Sequence, residues 1–294
     1  MADTSVDITP KNRVVDESLS QGMVEEAILI ICLDDNRLTY TIVDAERRKA
    51  VALLDYHSAT LSEVTSTPAG LLRRVKQGDE LLNKVVFAKV VVPVYANTHS
   101  LIPSPLFSRD RLRETLELTN TVAGEPCFLN DSIHSANAQF IYACDEDLME
   151  ELHYSFREPL VFHANSAFIE SELRLNKHES EKMVSVNLRP GHLDIVVTSA
   201  NNLVFFNTFN VNTAEDFMYY LLFTMEQLEL NPDQTRVRCY GDIEKSGAVW
   251  LLARKYIRNV ELGDRPGLIA YSYGFEKFPA HQYYALFCQY LCVS

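Results

Sequence analysis

The pattern of apolar and polar positions between Lys182 and Glu229 predicts a three-stranded meander followed by a helix. Three apolar runs alternate with two polar turns, in the order Met183–Leu188, Arg189-Pro190-Gly191, His192–Thr198, Ala200-Asn201-Asn202 and Leu203–Val211. Short β-rich runs between Pro, Gly and Asn turns are typical of hairpins. Thr213 and Asp216 then have the spacing of a capping box. The apolar residues that follow recur at helical intervals, namely Phe217, Tyr220, Leu221, Thr224, Met225 and Leu228.

The stretch Ala27–Tyr56 has the same order of strand, turn, strand, turn and strand. Laid over the later unit without a gap, Cys32 falls on Asn187 and the turn Asp34-Asp35-Asn36 falls on Arg189-Pro190-Gly191. Leu33, Leu38 and Ile42 fall on Leu188, Leu193 and Val197. Identity is slight, so the match depends on pattern. It predicts an internal duplication.

Helices and strands alternate after each meander, which predicts a mixed, layered α/β architecture. The predicted helices are one or two in Ser58–Leu82, then Ser104–Leu118, Asp145–Phe156, Ser166–Leu175, Ile243–Tyr256 and Ala280–Cys292. The predicted strands are Val85–Val94, Thr98–Pro103, Cys127–Ile133, Ala138–Ala143, Pro159–His163, Thr235–Tyr240 and Ile257–Leu262. We expect a flexible tail over residues 1–24, a first half over 25–176 with inserted elements, and a second half over 177–294. The charged run Lys177–Lys182 marks the boundary.

Composition and net charge disfavour several classes of protein. The 294 residues carry a formal net charge of −13, which disfavours nucleic-acid binding because an acidic surface repels phosphate backbones. No apolar run is long enough to span a membrane, and the first residues lack the basic start of a signal peptide. Six cysteines lie scattered without a CxxC pair, which is typical of buried free thiols in a reducing compartment. We therefore expect a cytoplasmic protein.

A meander followed by alternating helices and strands, present twice, resembles the actin-like and sugar-kinase superfamily, whose domains have a ribonuclease H-like core. The second half resembles more closely an uncharacterised family of Bacteroidetes proteins with an actin-like fold and no known function. That resemblance covers most of Met183–Cys292 and the first half only loosely. Its motifs are VNLRPGHLDIVV, FFNTF, AEDFMYYLLFTMEQLEL, CYGDIEK, KYIRNV and YGFEKFPAHQYYALFCQYLC. The implied fold class is α/β, with duplicated ribonuclease H-like (actin-like ATPase) domains and mixed sheets flanked by helices.

The resemblance also implies a cleft between the halves, where working members of the superfamily bind ATP. There each hairpin supplies an acid near Mg²⁺, and glycine-rich turns let backbone N–H groups approach phosphates. Here the positions of the acids hold Cys32 and Asn187, so magnesium-assisted phosphoryl transfer is not expected. The candidate cleft residues are Asp34, Asp35, Asn187, Arg189, Gly191, Gly241 and Asp242.

The departures from the superfamily pattern leave some binding open. The turn at Asp34-Asp35-Asn36 contains no glycine, and Gly241-Asp242 keeps one glycine of an adenosine-side pair. Arg189 could hold an anion, so weak nucleotide or phosphate binding stays open, although no cofactor is expected. Asp34 would take the role of the acid if the overlay slipped by a residue or two.

Other constellations have simpler interpretations. Asp34 and Asp35, with Asp55 and Asp194, could supply a two-metal nuclease, but Asp and Asn are also ordinary turn residues. The loop Gly241–Gly247 resembles a phosphate loop except that Glu244 stands where glycine is required, so a strand–turn–helix junction fits better. The eight histidines show no metal-ligand spacing. The aromatic residues Tyr271, Tyr273, Phe275 and Phe278 either line a groove or pack the C-terminal helix onto the sheet.

Three functional hypotheses follow. The first is a non-catalytic binding or scaffold protein on a degenerate actin-like fold, similar to cytoplasmic actin-like components of pilus and secretion machines that hold a partner's peptide. Its partner would be a protein or peptide, and the sequence leaves the oligomeric state open. The second is a nucleotide-dependent kinase or ATPase with divergent phosphate loops. The third is a ribonuclease H-like nuclease. The first hypothesis predicts no meaningful hydrolysis of ATP and no catalytic or metal-binding residue.

Overall fold

The strands form three sheets in a computed structural model that describes residues 9–17, 19, 25–57, 67–84 and 86–293. The first sheet consists of β1 (Asn12–Val15), β2 (Ile28–Asp34), β3 (Arg37–Asp44), β4 (Lys49–His57), β5 (Lys89–Val94), β9 (Leu160–His163) and β15 (Ala270–Tyr271). The inserted sheet consists of β6 (His99–Pro103), β7 (Cys127–Ile133) and β8 (Ala138–Cys144). The second sheet consists of β10 (Met183–Arg189), β11 (His192–Ser199), β12 (Asn202–Asn210), β13 (Arg236–Gly241) and β14 (Asn259–Leu262).

The two larger sheets share one arrangement. The first sheet contains the order β4-β3-β2-β5-β9 and the second has the order β12-β11-β10-β13-β14, each an antiparallel meander extended by two parallel strands. Cys32 lies opposite Thr39, and Asn187 lies opposite Asp194. The ungapped overlay of the sequence aligns these same pairs. A common origin of the halves, and their boundary at residue 177, stay predictions.

Eight α-helices lie in the described part of the chain. They are α1 (Pro68–Gly78), α2 (Glu80–Lys84), α3 (Leu112–Glu117), α4 (Glu146–Ser155), α5 (Ala164–Leu175), α6 (Ala214–Gln227), α7 (Ala248–Tyr256) and α8 (Tyr284–Cys288). The capping box at Thr213 and Asp216 forms as expected and starts α6. The part of the predicted helical stretch Ser58–Leu82 that precedes Thr67 lies outside the described residues.

Three predicted helices are too long. The predicted helix Ser104–Leu118 is interrupted because Phe107 and Ser108 are extended, which lets Phe107 pack with Leu112 and Leu116. The predicted helix Ile243–Tyr256 begins only at Ala248, since a turn closed by the N–H of Gly247 on Glu244 precedes it. The predicted helix Ala280–Cys292 is α-helical only in α8 and then narrows to a 3₁₀ turn over Gln289–Cys292.

The prediction of a flexible tail over residues 1–24 is wrong for its central part. Asn12–Val15 forms β1, which pairs antiparallel with β4 and buries Val14. The side chain of Asn12 donates to the hydroxyl of Tyr283 at 2.7 Å. Two successive valines favour a strand, and the acidic neighbours concealed this signal.

A continuous core joins the halves. Tyr240 of β13 stacks on Tyr284 of α8, with ring centroids 3.8 Å apart, and both rings belong to the same buried cluster as the first meander. A second cluster lies beneath α6 and α7. A third lies between the first sheet and the last residues of the chain, where Phe275 and Phe287 pack on Ile30 and Leu53. The polypeptide therefore returns after the second sheet to cover the first.

Asp131 connects the inserted sheet to the first sheet through hydrogen bonds. Its buried carboxylate accepts the N–H of His163 at 2.7 Å and the hydroxyls of Ser166 and Tyr142 at 2.6 and 3.3 Å. Burial raises its pKa to about 6, although these hydrogen bonds favour the charged form. The pKa of Asp131 in the unfolded chain is about 3.9. Between the two pKa values, Asp131 is therefore protonated in the folded protein and ionised in the unfolded chain.

We expect this proton to give a measurable pH dependence. Between about pH 4 and pH 6 the free energy of unfolding should fall as pH rises, because the folded state binds more protons than the unfolded state. Denaturant unfolding of the wild type and of Asp131→Asn across this range measures it, and the variant should lack this part of the slope. Burial also raises the pKa of Glu172. The pH dependence that Glu172 contributes is the same in the wild type and in Asp131→Asn, so it cancels when the two slopes are subtracted. Equal slopes in the two proteins would contradict the assignment.

Candidate functional site

The tips of the hairpins β2–β3 and β10–β11 meet in the junction between the halves, beside the end of β13. The cavity that remains there has a volume of about 50 Å³. Its walls include Cys32, Asp34, Asn187, Arg189, Gly241 and Tyr283. Ligand pockets usually measure about 300 to 1,000 Å³. This cavity has room for no more than a few water molecules.

Arg189, at the end of β10, fills one side of the junction. Its Nη1 atom donates to both carboxylate oxygens of Asp34, at 3.1 and 3.0 Å, and its Nε atom donates to Asp194 at 3.2 Å. The guanidinium carbon lies 4.0 Å from the ring centroid of Tyr95, within the range of a cation–π contact. Asp34 belongs to the first sheet and Asp194 to the second. Arg189 therefore joins the two halves.

Arg37, at the start of β3, makes the reciprocal connection. Its Nε and Nη2 atoms bind the two oxygens of Asp55, each at 2.8 Å, and its Nη1 atom binds Asp242 at 2.8 Å. Asp55 lies in the same sheet as Arg37, and Asp242 follows β13 of the second sheet. Each half thus contributes one arginine that binds an aspartate of its own sheet and another aspartate of the opposite half. We call these six residues the inter-half clasp: Arg37, Asp55, Asp242, Arg189, Asp34 and Asp194.

The two fully buried aspartates have matching surroundings. In the first sheet, Thr39 of β3 donates to Asp55 of β4 at 3.0 Å. In the second sheet the two residue types are on the opposite strands, because Thr208 of β12 donates to Asp194 of β11 at 2.8 Å. Tyr283 also donates to Asp55, at 2.9 Å. Asn187 donates to Asp194 at 3.2 Å. The side-chain amide of Asn187 is therefore part of this network.

Both buried carboxylates stay ionised. For Asp55, burial alone would raise the pKa, but hydrogen bonding to His57 and the charge of Arg37 outweigh it and lower the pKa. For Asp194, burial is likewise outweighed by the charge of Arg189 and by hydrogen bonds from Thr208 and Asn165, and the pKa is lowered. A buried charge is stable only when it is paired and hydrogen-bonded.

The structure brings together most of the residues predicted for the cleft. Asp34, Asn187, Arg189 and Gly241 line the cavity, and Asp242 adjoins it through Arg37. Asp35 follows Asp34 in the hairpin turn but does not line the cavity, and it accepts a hydrogen bond from Asn97 at 3.1 Å.

The two predicted glycines have structural roles. Gly191 lies in the hairpin turn with a φ of +77° and open space around it, away from the cavity. Gly241 has a φ of +84°, and a Cβ atom there would lie 2.0 Å from the carbonyl oxygen of Leu188. Glycine at 241 is thus required by the close approach of two strands. The N–H of Gly241 donates to His281, and that of Asp242 donates to Leu188, so these groups are engaged within the protein.

Sequence reasoning missed Arg37, Tyr95 and Tyr283. Arg37 directly follows the predicted turn Asp34-Asp35-Asn36, and a strand that begins with Arg opposite an Asp-bearing strand is a signal for a cross-strand ion pair. Tyr95 and Tyr283 come from loops distant in sequence, and no local pattern marks them.

Three of the four aspartates considered for a nuclease are paired with arginine. Asp34 and Asp194 share Arg189, and Asp55 is held by Arg37. Within the described residues, no group of three or more His, Cys, Asp or Glu side chains could hold a metal ion. Of the aromatic residues near the C-terminus, Tyr271 and Phe275 pack against Phe287, whereas Tyr273 is exposed. Packing therefore explains Tyr271 and Phe275.

A wider depression of about 780 Å³ lies on the other side of Gly241. It is bordered by residues 241–246, by Lys11 and Lys277, and by Phe278 and His281. Lys245 adds a third lysine to its border. This depression is large enough for a small ligand.

Comparison with known proteins shows which family and which solved structures the chain resembles. The profile of a family described as "Protein of unknown function (DUF3822)" matches residues 16–260. No curated protein matches the chain significantly. A Bacteroides thetaiotaomicron protein of unknown function with an actin-like ATPase fold is 17% identical, with a TM-score of 0.75 over 83% of this chain and 93% of its own. A chain of the PilM–PilN type IV pilus biogenesis complex is 12% identical, with a TM-score of 0.63 over 92% of this chain and 98% of its own.

These similarities confirm the predicted fold class and the resemblance to an actin-like family of unknown function. The chain has the actin-like ATPase fold, with mixed sheets flanked by helices. At such low identity, the similarity concerns the fold alone. In the described part of the chain, every helix is too short or too polar to cross a membrane.

Replacing Arg189 by methionine should destabilise the protein strongly. The change would leave Asp34 and Asp194 buried without their cation, which typically lowers the free energy of unfolding by about 3 to 5 kcal/mol. The matched control is Arg111→Met, because Arg111 and Glu114 form a pair in which both side chains are exposed and such pairs contribute about 0 to 1 kcal/mol. Urea unfolding measures both. A loss at Arg189 no greater than that at Arg111 would contradict a stabilising clasp.

The inter-half clasp should also determine how the free energy of unfolding falls at low pH. Asp55 and Asp194 have lowered pKa values in the folded state, so their contribution is fully present above the unfolded pKa of about 3.9 and is lost as pH falls below it. We expect the free energy of unfolding to drop steeply below about pH 4. Asp55→Asn should flatten that drop, whereas the slope assigned to Asp131 at higher pH should persist. An unchanged acid slope in Asp55→Asn would show that other groups dominate.

Proposed function

The chain belongs to this family of proteins of unknown function, DUF3822, and we propose that it is a non-catalytic binding protein built on the actin-like ATPase fold. The observation that carries the proposal is the inter-half clasp. Arginine side chains occupy the junction where the resemblance implies a nucleotide, and the cavity left beside them measures about 50 Å³.

Charge in the junction opposes a polyphosphate. The clasp contains two arginines and four aspartates, so its net charge is negative. Both guanidinium groups are already engaged with carboxylates at hydrogen-bond distance. A triphosphate would have to displace carboxylates from arginine in both halves and would then lie beside the released acids. Like charges at such separations repel strongly in a partly buried site.

The hairpins also lack a place for Mg²⁺. Mg²⁺ prefers carboxylate and phosphate oxygens. Asn187 is committed to Asp194. Burial, and next the charge of Asp34, raise the pKa of the Cys32 thiol, so this side chain is neutral at pH 7. Neither residue offers the negative charge that holds the ion in phosphoryl transfer.

The proposed partner is another protein. The similar chain from the PilM–PilN complex is part of a protein assembly, which supports a binding role for this fold. Tyr219 and Phe223 of α6 are exposed (62% and 43%) and stack on each other, with ring centroids 6.0 Å apart, and exposed apolar patches often mark interaction sites. The six cysteines are free, which fits a reducing compartment, and we place the protein in the cytoplasm.

A second candidate function is nucleotide-dependent activity that uses the depression beyond Gly241. Its volume of about 780 Å³ and its three bordering lysines favour this alternative. Against it, the N–H groups of Gly241 and Asp242 are bonded within the protein.

Calorimetry with ATP and Mg²⁺, followed by a phosphate-release assay, tests the proposal. We expect no turnover by the wild type or by Asp34→Ala, because Cys32 and Asn187 give neither protein the carboxylates that would position a metal ion. Asp34→Ala is informative since Asp34 is the acid that a slipped overlay would place at the metal. Robust phosphate release by the wild type that Asp34→Ala abolishes would overturn the non-catalytic proposal and support the enzyme.

A further inference from the structure

A groove of about 550 Å³ runs between the inserted sheet and the second sheet. Strand β6 and the end of α3 form one wall, and residues 203–207 of β12 form the other. Both β6 and β12 are edge strands of their sheets. An edge strand presents backbone N–H and C=O groups that can pair with another chain.

The register shows which backbone groups of β12 face outward. The N–H of Val211 donates to the carbonyl of Gly191, in line with the pairing of Asn210 with His192. Backbone groups alternate in direction along a strand, so Phe209, Asn207 and Phe205 bond to β11. The N–H and C=O groups of Phe206 and Thr208 therefore point away from β11, toward the open edge.

The facing edge of β6 is partly capped. The side chain of Asn120 donates to the carbonyl of His99 at 3.2 Å and to the hydroxyl of Ser100 at 3.1 Å. Pro103, at the end of β6, has no N–H to donate. Strand β12 is thus the better template of the two walls.

The described part of the groove carries no charged side chain: about half of its lining residues are apolar, and the rest are uncharged polar residues. Among the described residues, no Lys, Arg, Asp or Glu lines it, and burial lowers the pKa of His99, which keeps that ring neutral at pH 7. Leu118 and Val204 project into solvent at its border, with 81% and 38% of their surface exposed. Desolvating a charged side chain in such a groove would be costly. The occupant that fits is an uncharged apolar segment.

We propose that the groove binds an extended, apolar segment of a partner protein, which pairs with β12 as an added strand. This inference rests on the proposed function as a binding protein and names the chemistry of its partner. Five residues of β12 line the groove, and at about 3.3 Å per residue an equal length of extended chain would fill it. Main-chain hydrogen bonds would supply affinity, and alternate apolar side chains would supply specificity. Because the protein carries a net charge of −13, basic residues should flank the segment.

The test uses a displayed library of random peptides selected on the full chain. Peptides that bind should contain alternating apolar residues, and their affinity should fall by roughly tenfold or more for Val204→Asp and Leu118→Asp, which corresponds to about 1.4 kcal/mol. The matched control is Leu106→Asp, because Leu106 is as exposed as Leu118 and belongs to the same insert, yet does not line the groove. The control should bind as the wild type does. The three sites are exposed, and equal melting temperatures would confirm that each variant is folded.

Hydrogen exchange supplies a readout that depends on the register. A bound strand should slow exchange at the amides of Phe206 and Thr208, which point outward, and leave those of Phe205 and Asn207 unchanged, since they are already paired. Selected peptides that bind all variants equally, or that protect another part of the chain, would overturn this site while leaving a binding function intact. A library that yields no binder would also overturn it. Failure of the proposed function itself would appear separately, as phosphate release from ATP.

Discussion

The need to neutralise buried charge at the junction between the halves governs this structure. Arg37 and Arg189 lie almost out of solvent, and each is held by one carboxylate from either side of the junction. Removing such ions from water is expensive unless every partner is in place. The hairpins, the end of β13 and the last segment of the chain must therefore assemble together. Tyr283, from that last segment, completes the hydrogen bonds of Asp55.

The same constraint supports the proposal that the junction does not bind a phosphate. A nucleotide site keeps its cations and N–H groups available for the ligand. Here the cations are committed to aspartate, and the N–H groups of the Gly241-Asp242 turn are committed to carbonyls. In the proposed function, Cys32 and Asn187 supply no carboxylate to a metal ion, and the clasp acts as a structural connection between the two sheets. The proposed partner then binds at an exposed strand edge instead of in the junction.

Much of the fold could be predicted from sequence, because the meanders alternate with clear turns and the helix at Thr213 carries its own cap. The overlay of Cys32 on Asn187 placed both residues correctly in the junction, since a hairpin register is fixed by its turn. The roles of those residues could not be predicted. Arg37 and Asp242 are far apart in sequence, and only the packed halves bring them within 2.8 Å. The predicted helix bounds were wrong where Phe107 packs into a core and where a turn precedes Ala248.

The return of the chain across the first sheet has a consequence for biosynthesis. Residues 269–293, including Phe275, Phe287 and Tyr290, cover a face of the first sheet whose strands β2, β3 and β4 are synthesised well before them. Domains usually fold in order as they leave the ribosome. Here β2, β3 and β4 would wait, with Ile30 and Leu53 uncovered and Arg37 unpaired with Asp242, until residues 269–293 have left the ribosome. A chain cut short before residue 269 would therefore expose an apolar face of its first sheet, so a truncation far from these strands in sequence would destabilise them.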